Sequence, residues 1–440
     1  MRSRTLGGAL LCISALFFAG CGGGGGGSGT TNPPANFTLG GTVTGLAGSG
    51  LVLQNKGGND LPVSANGNFS FTAGLANGAS YDVTIKSHPN LPKQICSVSG
   101  GSGTIGGAVS NVAVSCTTPT PRFAYVANIV GNTVLTYDVN TGNGWLTAKH
   151  SLSAGGAPRA VAVAPNGKFA YVVQNTGQSV SWYGVDAGTG FLSFAGKINT
   201  GFQPTSFAIE PGGKFAYLVH GNQLSAYSIH ASTGALALVG SVDAGTALGT
   251  VAIDPGGKFV YAANNGGNAV SIYAINGSTG ALSAAGSVGA GSFPSSVIVD
   301  PSGKYAYATD SGSDEVSMYA VNSSTGGLTA IGKIGAGMSP SSLAADPSGK
   351  YVYVANVGSD TVSVYAINAG TGALTPLGLV NAGWKPVAVS VEPSGKFVYV
   401  LNQGDNSVSV YSINAGTGAL TFTGNMVAGS APVAMAVLGQ

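Results

Sequence analysis

Charge is what this 440-residue chain has least of: Asp, Glu, Lys and Arg together make up 7% of it. A polar, ion-paired helix surface needs more than that, so long amphipathic helices are not expected. The net charge is +2 and no Lys/Arg run follows the first residues, which removes the electrostatic footprint of a nucleic-acid binder and excludes DNA and RNA as partners. Histidine is equally scarce. His150 and His230 fall at separate places with no ligand spacing, and His88, between Ser87 and Pro89, has no second histidine or acid beside it, reading as a surface loop residue. No Gly-x-Ser-x-Gly elbow occurs, and the glycine runs precede no helix, so neither an elbow serine nor a phosphate loop is offered. No metal and no cofactor are expected.

Glycine, at 73 positions, and a hydrophobic share of 44% are what the chain does have, and they suit many short, buried strands joined by tight turns. Arg2 and Arg4 precede an apolar stretch from Leu6 to Ala19, too short to span a bilayer and patterned as a secretory leader. It ends Leu16-Phe17-Phe18-Ala19-Gly20-Cys21, which resembles the lipobox of bacterial lipoproteins, with Phe18 where the family usually carries Leu. That resemblance implies a signal peptide over 1–20 and a diacylated Cys21 as a membrane anchor; the rival is an ordinary leader cleaved elsewhere. Gly22 after the cysteine, by the same resemblance, points to the outer membrane of the cell envelope. Residues 21–36, rich in Gly, Thr, Asn and Pro, cannot build a core and read as a tether.

Residues 37–117 alternate in short segments, at Thr38 to Val43, Leu51 to Gln54, Phe69 to Phe71, Tyr81 to Ile85, Gln94 to Val98 and Asn111 to Ser115. This spacing predicts a small antiparallel β-sandwich. Cys12 lies in the leader, which leaves Cys96 and Cys116 to form a disulfide in an oxidising compartment; zinc is the rival for two cysteines. Pro119 and Pro121 stiffen a linker over 118–121.

From 122 to 440 a Phe/Tyr-x-Tyr unit recurs, its second aromatic at Tyr125, Tyr171, Tyr217, Tyr261, Tyr307, Tyr353 and Tyr399, at intervals of 46, 46, 44, 46, 46 and 46 residues. Each copy holds four short strand patterns with a Pro-x-Gly-Lys turn after the first and a Thr-Gly turn before the last, so the expectation is an all-β, seven-bladed β-propeller. The first copy lacks its inner strand, and Pro432 to Val437 is a surplus one; pairing the two closes the ring and removes two open edges. The ring is expected to work as a monomer.

One face of such a ring carries the Pro-x-Gly-Lys turns, where Glu210, Asp254, Asp300, Asp346 and Glu392 stand close to Lys214, Lys258, Lys304, Lys350 and Lys396. Neighbouring opposite charges read as a solvated scaffold. The other face varies. Loops leading into the inner strands place Phe202, Gln203, Phe293, Met338, Trp384 and Lys385 around the channel mouth, either as a binding rim for an envelope protein or small ligand or as packing for the loops themselves. The second strands end in Asn128, Gln174, His220, Asn264, Asp310, Asn356 and Asn402. The 44-residue interval falls beside His220 and leaves a notch in the rim.

Tyr353-Val354-Ala355-Asn356 resembles the YVTN-type propeller repeat, and the Asp-Pro-Ser-Gly-Lys-Tyr and Ser-Val-Tyr contexts resemble the lactonase propeller family that includes 6-phosphogluconolactonase. The resemblance covers Arg122 to Gln440. It implies a polar set made of a His and an Arg starting inner strands and a Glu ending a second strand. Arg159 fits the arginine. No inner strand starts with His, and Asp310 is the one acid at the ends of second strands, so His220 and Asp310 are the substitutes to weigh as base. Two functions follow: a ligand- or protein-binding module, or an enzyme opening a sugar lactone.

Overall fold

The computed structural model describes residues 36–439, and the leader, Cys21 and most of the tether lie outside them. The described chain is all β, with one short 3₁₀ turn at Asn265–Gly267. Among the described residues no helix is long and apolar enough to cross a membrane.

Two four-stranded sheets form the small sandwich. One runs Gly67–Ser70, Leu39–Thr44, Val109–Thr117, Ile95–Ser99; the other runs Gly58–Val63, Leu51–Asn55, Ser80–Ser87, Ser102–Thr104. Leu39, Val43, Leu53, Phe69, Val83 and Val112 fill one core between them, as alternation of inward and outward side chains requires. Cys96 and Cys116 are directly opposite on neighbouring strands and are joined by a disulfide. The chain-entropy model assigns a loop of this size about 3 kcal/mol. The sandwich departs from the antiparallel expectation at one place, because Val109–Thr117 runs parallel to Leu39–Thr44. Gly58–Val63 and Ser102–Thr104 were not evident as strands: both are exposed edges made largely of Gly, Asn, Ser and Pro, residues that edges tolerate. His88 has a structural task, since its Nδ1 accepts the Cys96 N–H at 3.0 Å and braces the disulfide strand.

The remaining chain makes seven four-stranded blades. Blade 6 shows the plan: inner Pro340–Ala345, second Tyr351–Asn356, third Thr361–Ile367 and outer Leu374–Asn381, each antiparallel to the next. Blade 1 takes its inner strand from Pro432–Gly439, which pairs with Pro121–Asn128 and closes the ring.

The Phe/Tyr-x-Tyr unit explains how blades adhere. The second tyrosine donates its hydroxyl to the carbonyl of the turn glycine before the next blade's outer strand: Tyr125 to Gly190, Tyr171 to Gly234, Tyr217 to Gly280, Tyr261 to Gly326, Tyr307 to Gly372, Tyr353 to Gly418 and, across the closure, Tyr399 to Gly144, which follows Asn143 where the others follow Thr, at 2.8–3.1 Å. Burial pushes all seven phenols up, so they remain donors at any working pH. The first aromatic lies under the same glycine, where a Cβ on Gly372 would come 2.1 Å from the Tyr305 ring.

The Pro-x-Gly-Lys face differs from its expected reading. The turn acids are not cancelled by the turn lysines: Asp300, Asp346, Glu210 and Glu392 are buried, and no ion pair joins a turn acid to a turn lysine among the described residues. Asp346 instead accepts the N–H groups of Ser348 (3.0 Å), Lys350 (2.8 Å) and Tyr351 (2.7 Å). Asp300 and Glu392 cap their turns in the same way. A tight turn leaves several N–H groups facing inward, and one carboxylate satisfies them together. This face is scaffold because its acids are consumed by the backbone.

Candidate functional site

The opposite face is built from the loops leading into inner strands and the loops joining second to third strands. A latch couples them. The last residue of the second-to-third loop accepts the N–H of a left-handed residue in the next blade's leading loop: Asn132 from Ala157 (2.8 Å), Asn268 from Phe293 (2.9 Å), Asp314 from Ser339 (2.7 Å), Asp360 from Lys385 (2.8 Å) and Asn406 from Ala431 (2.7 Å). Asn and Asp suit this place because a short side chain carries the acceptor and tolerates the φ near +50° that those residues adopt.

Two of the seven junctions lack the latch, and they flank blade 3. Gln178 stands where Asn or Asp is needed, and the loop after His220 is reduced to Gly221 and Asn222, so no side chain reaches the N–H of Gln203 or Ala247 among the described residues. The rim opens there into a depression of about 490 Å³ lined by Gln178, Phe202, Gln203, Thr205, Ala247 and Leu248, with Gly221 at its edge. The short interval thus has a structural result: the notch is an open pocket.

Each inner strand carries a bulge at its second residue, where pairing with the second strand slips, and a bulge re-aims its side chain. Those residues are Arg159, Thr205, Gly249, Ser295, Ser341, Val387 and Val433, so Arg159 is the one cation of this ring and Thr205 is its neighbour on the adjoining strand. Arg159 is exposed and has no hydrogen bond or ion pair with a described residue. Thr205 Oγ1 is buried beside the depression without a partner.

His220 and Asp310 are placed differently. Their side chains turn into the blades, as do those of the asparagines at equivalent places: Asn356 donates to Ser363 Oγ at 2.9 Å and Asn402 to Ser409 Oγ at 2.7 Å. His220 is 4% exposed, its Nε2 lies 2.5 Å from Ser225 Oγ, and the Phe202 ring stacks on it at 6.1 Å. Burial lowers its pKa, which keeps the imidazole neutral. Asp310 accepts the Ser317 hydroxyl at 2.6 Å in blade 5, away from both Arg159 in blade 2 and His220 in blade 3. Arg159 and Thr205 hold the same position on adjoining inner strands, and Arg159 does not itself line the notch; the structure does not gather Arg159, His220 and Asp310 into one cluster.

The four large rim side chains are each more than half exposed: Phe202 59%, Phe293 56%, Met338 59% and Trp384 55%. Each also rests over the loop glycine of its own blade, Gly221, Gly312, Gly358 and Gly404, so these side chains pack on the loops while staying largely exposed. Lys385 Nζ sits 5.1 Å over the Trp384 ring.

Burial raises the Asp310 carboxyl above the ordinary carboxylate range, with the Ser317 hydroxyl and the Gly291 N–H opposing the shift. The folded state therefore binds this proton more tightly than the unfolded one. Stability falls as pH rises from the unfolded value through the folded value, then stays reduced at neutral pH. Asp310→Asn, which lets an amide donate to Ser317 as Asn356 does to Ser363, is expected to gain on the order of 1 kcal/mol at pH 7. Denaturant melts of both chains at pH 4 and pH 7 check this, and the difference should shrink at pH 4.

Among curated proteins none matches the chain. Solved structures do, each at an identity that shows the fold alone. A putative 6-phosphogluconolactonase from Bacteroides fragilis is 22% identical with a TM-score of 0.66, covering 73% of this chain and 99% of its own. The periplasmic gluconolactonase of Pseudomonas aeruginosa is 19% identical with a TM-score of 0.63, covering 72% and 98%. The hydrazine synthase of Kuenenia stuttgartiensis is 22% identical with a TM-score of 0.54, covering 68% and 96%, so this ring also occurs in a protein with a different name and chemistry. The family model described as lactonase, 7-bladed beta-propeller, matches residues 93–207, 195–344 and 332–437. On that match the chain belongs to the lactonase family of seven-bladed β-propellers.

Proposed function

We propose that this propeller binds the lactone of a sugar acid at the notch and promotes its hydrolysis, with Arg159 as the electrophilic group. The observation that carries the reading is an exposed arginine without a described partner, on the inner strand adjoining that of Thr205, whose leading loop opens into the pocket, on a lactonase-family ring. Water adds to the lactone carbonyl, the carbonyl oxygen becomes an oxyanion, and the ring C–O bond breaks to give a hydroxy acid. A fixed cation stabilises the oxyanion more than the neutral carbonyl, which is what lowers the barrier. The notch presents no exposed base, since His220 Nε2 is committed to Ser225 and its ring is covered by Phe202. The work therefore rests on Arg159 and on holding the ring in place, with the proton passing to solvent.

The test is the rate at which the purified chain opens glucono-1,5-lactone above the buffer rate. Arg159→Ala should lower that excess by about 10²-fold, the usual loss on removing an oxyanion partner. Wild-type protein that gives no excess over buffer defeats the reading.

A second reading is favoured by Phe293, Met338 and Trp384, which stand exposed outside the notch. They suit capture of an envelope protein without turnover. Changing these three to Ser while sparing the notch separates the two, because capture should vanish and lactone opening should persist.

A further inference from the structure

We infer that the notch selects an uncharged, hydroxyl-bearing ligand end and turns away a phosphorylated one; this rests on the notch being the lactone site. The walls are the reason. Phe202 offers an exposed ring face, the surface against which the C–H face of a sugar ring packs, and its rear is held by His220. Around it stand two carboxamides, Gln178 and Gln203, and the Thr205 hydroxyl. Amides and hydroxyls each donate and accept, as sugar hydroxyls do, so the two sets can satisfy one another completely.

Two observations give these groups unfilled capacity. Thr205 Oγ1 is buried beside the pocket with no partner, a state that costs free energy until something supplies a hydrogen bond. The Ala247 N–H has lost the latch that occupies its counterparts in five other junctions. Both are met by a ligand bearing hydroxyls.

A phosphate is poorly served by the same walls. No Lys, Arg or His lines the depression, and Leu248 contributes apolar surface to it. A dianion would lose hydration there without a counter-charge, and an uncompensated buried charge is disfavoured far more than an unpaired hydroxyl. Arg159 does not remedy this, because it does not line the depression and the proposed reaction commits it to the lactone carbonyl. Lys385 belongs to blade 7 and stands over Trp384.

The test uses the full chain with two probes that water cannot open, glucono-1,5-lactam and its 6-phosphate, titrated by calorimetry. The neutral lactam is expected to bind at least 10-fold tighter than the 6-phosphate. Thr205→Val and Gln203→Leu should each weaken the lactam 5- to 10-fold, while Thr205→Ser, which keeps the hydroxyl, retains its affinity and guards against a folding defect. Equal or tighter binding of the 6-phosphate overturns the selectivity and leaves the lactone reading standing. Full lactam affinity in both Thr205→Val and Gln203→Leu overturns the assignment to these walls. Absence of binding by either probe, together with no lactone turnover, removes the reading and the inference with it.

Discussion

Removing residues 432–440 is expected to abolish the folded propeller. The deleted strand supplies the whole inner rank of blade 1, paired from Pro432 opposite Asn128 to Gly439 opposite Pro121. Val433, Ala434 and Ala436 pack toward blade 2, while Met435 and Val437 pack toward blade 7, so both neighbouring interfaces lose contacts as well as the ladder. At about 1 kcal/mol for each lost ladder bond and 1.5–3 kcal/mol for each large apolar side chain uncovered, the loss matches or exceeds a domain's total stability of about 5–15 kcal/mol. The exposed edge of Pro121–Asn128 would then template aggregation. Size-exclusion chromatography and near-ultraviolet circular dichroism read the result. A truncated chain that stays monomeric with the native aromatic signal would contradict closure by this strand.

The second large effect concerns one glycine. Gly372 has φ +72°, its carbonyl receives Tyr307 at 2.9 Å, and a methyl group on it would stand 2.1 Å from the Tyr305 ring. Gly372→Ala thus combines a left-handed backbone for an L-residue with overpacking at the interface between blades 5 and 6, and should destabilise the chain by about 3 kcal/mol. Gly335→Ala is the control. A Cβ there meets nothing within 4 Å and its φ is not in the left-handed region, so its effect should stay within about 0.5 kcal/mol. Urea melts distinguish them, and similar midpoints for the two variants would mean that the interface yields to the added methyl.

Much of the ring was legible because its determinants are local. The Pro-x-Gly-Lys and Thr-Gly turns mark two hairpins in nearly every copy, and the aromatic period counts the copies. In blade 6 the second and third strands fall at Tyr351–Asn356 and Thr361–Ile367, as their sequence patterns require. The missing first inner strand and the surplus last one also declare themselves once the copies are aligned with one another.

What was not legible depends on pairs far apart in sequence or on burial. Tyr307 and Gly372 are 65 residues apart, and both were visible as repeats, yet nothing local says that one donates to the other. The acid and lysine of each Pro-x-Gly-Lys turn look like cancelling charges until burial is known; then Asp346 turns out to serve three N–H groups. On the face opposite the Pro-x-Gly-Lys turns, His220 and Asp310 differ from the asparagines at equivalent places, but a departure in residue type does not reveal direction, and both point into their blades. Thr205 was missed because it differs little from the serines at its equivalents. A signal for one of the two open junctions did exist: an Asn or Asp lies 25 residues before the latched N–H in five junctions, and Gln178 breaks the pattern; Asn222 keeps the spacing to Ala247, and there it is the shortened loop that leaves the latch unmade. Where a repeat loses a structural bond, the freed groups become available for a ligand.

The position of a bound lactone analogue is the most direct test of the notch as the lactone site. A crystal structure of the full chain soaked with glucono-1,5-lactam is predicted to show the ring against Phe202, a hydroxyl within hydrogen-bond distance of Thr205 Oγ1, and the carbonyl oxygen turned toward Arg159. Density for the lactam at Met338 or Trp384, with the notch holding only solvent, would contradict it.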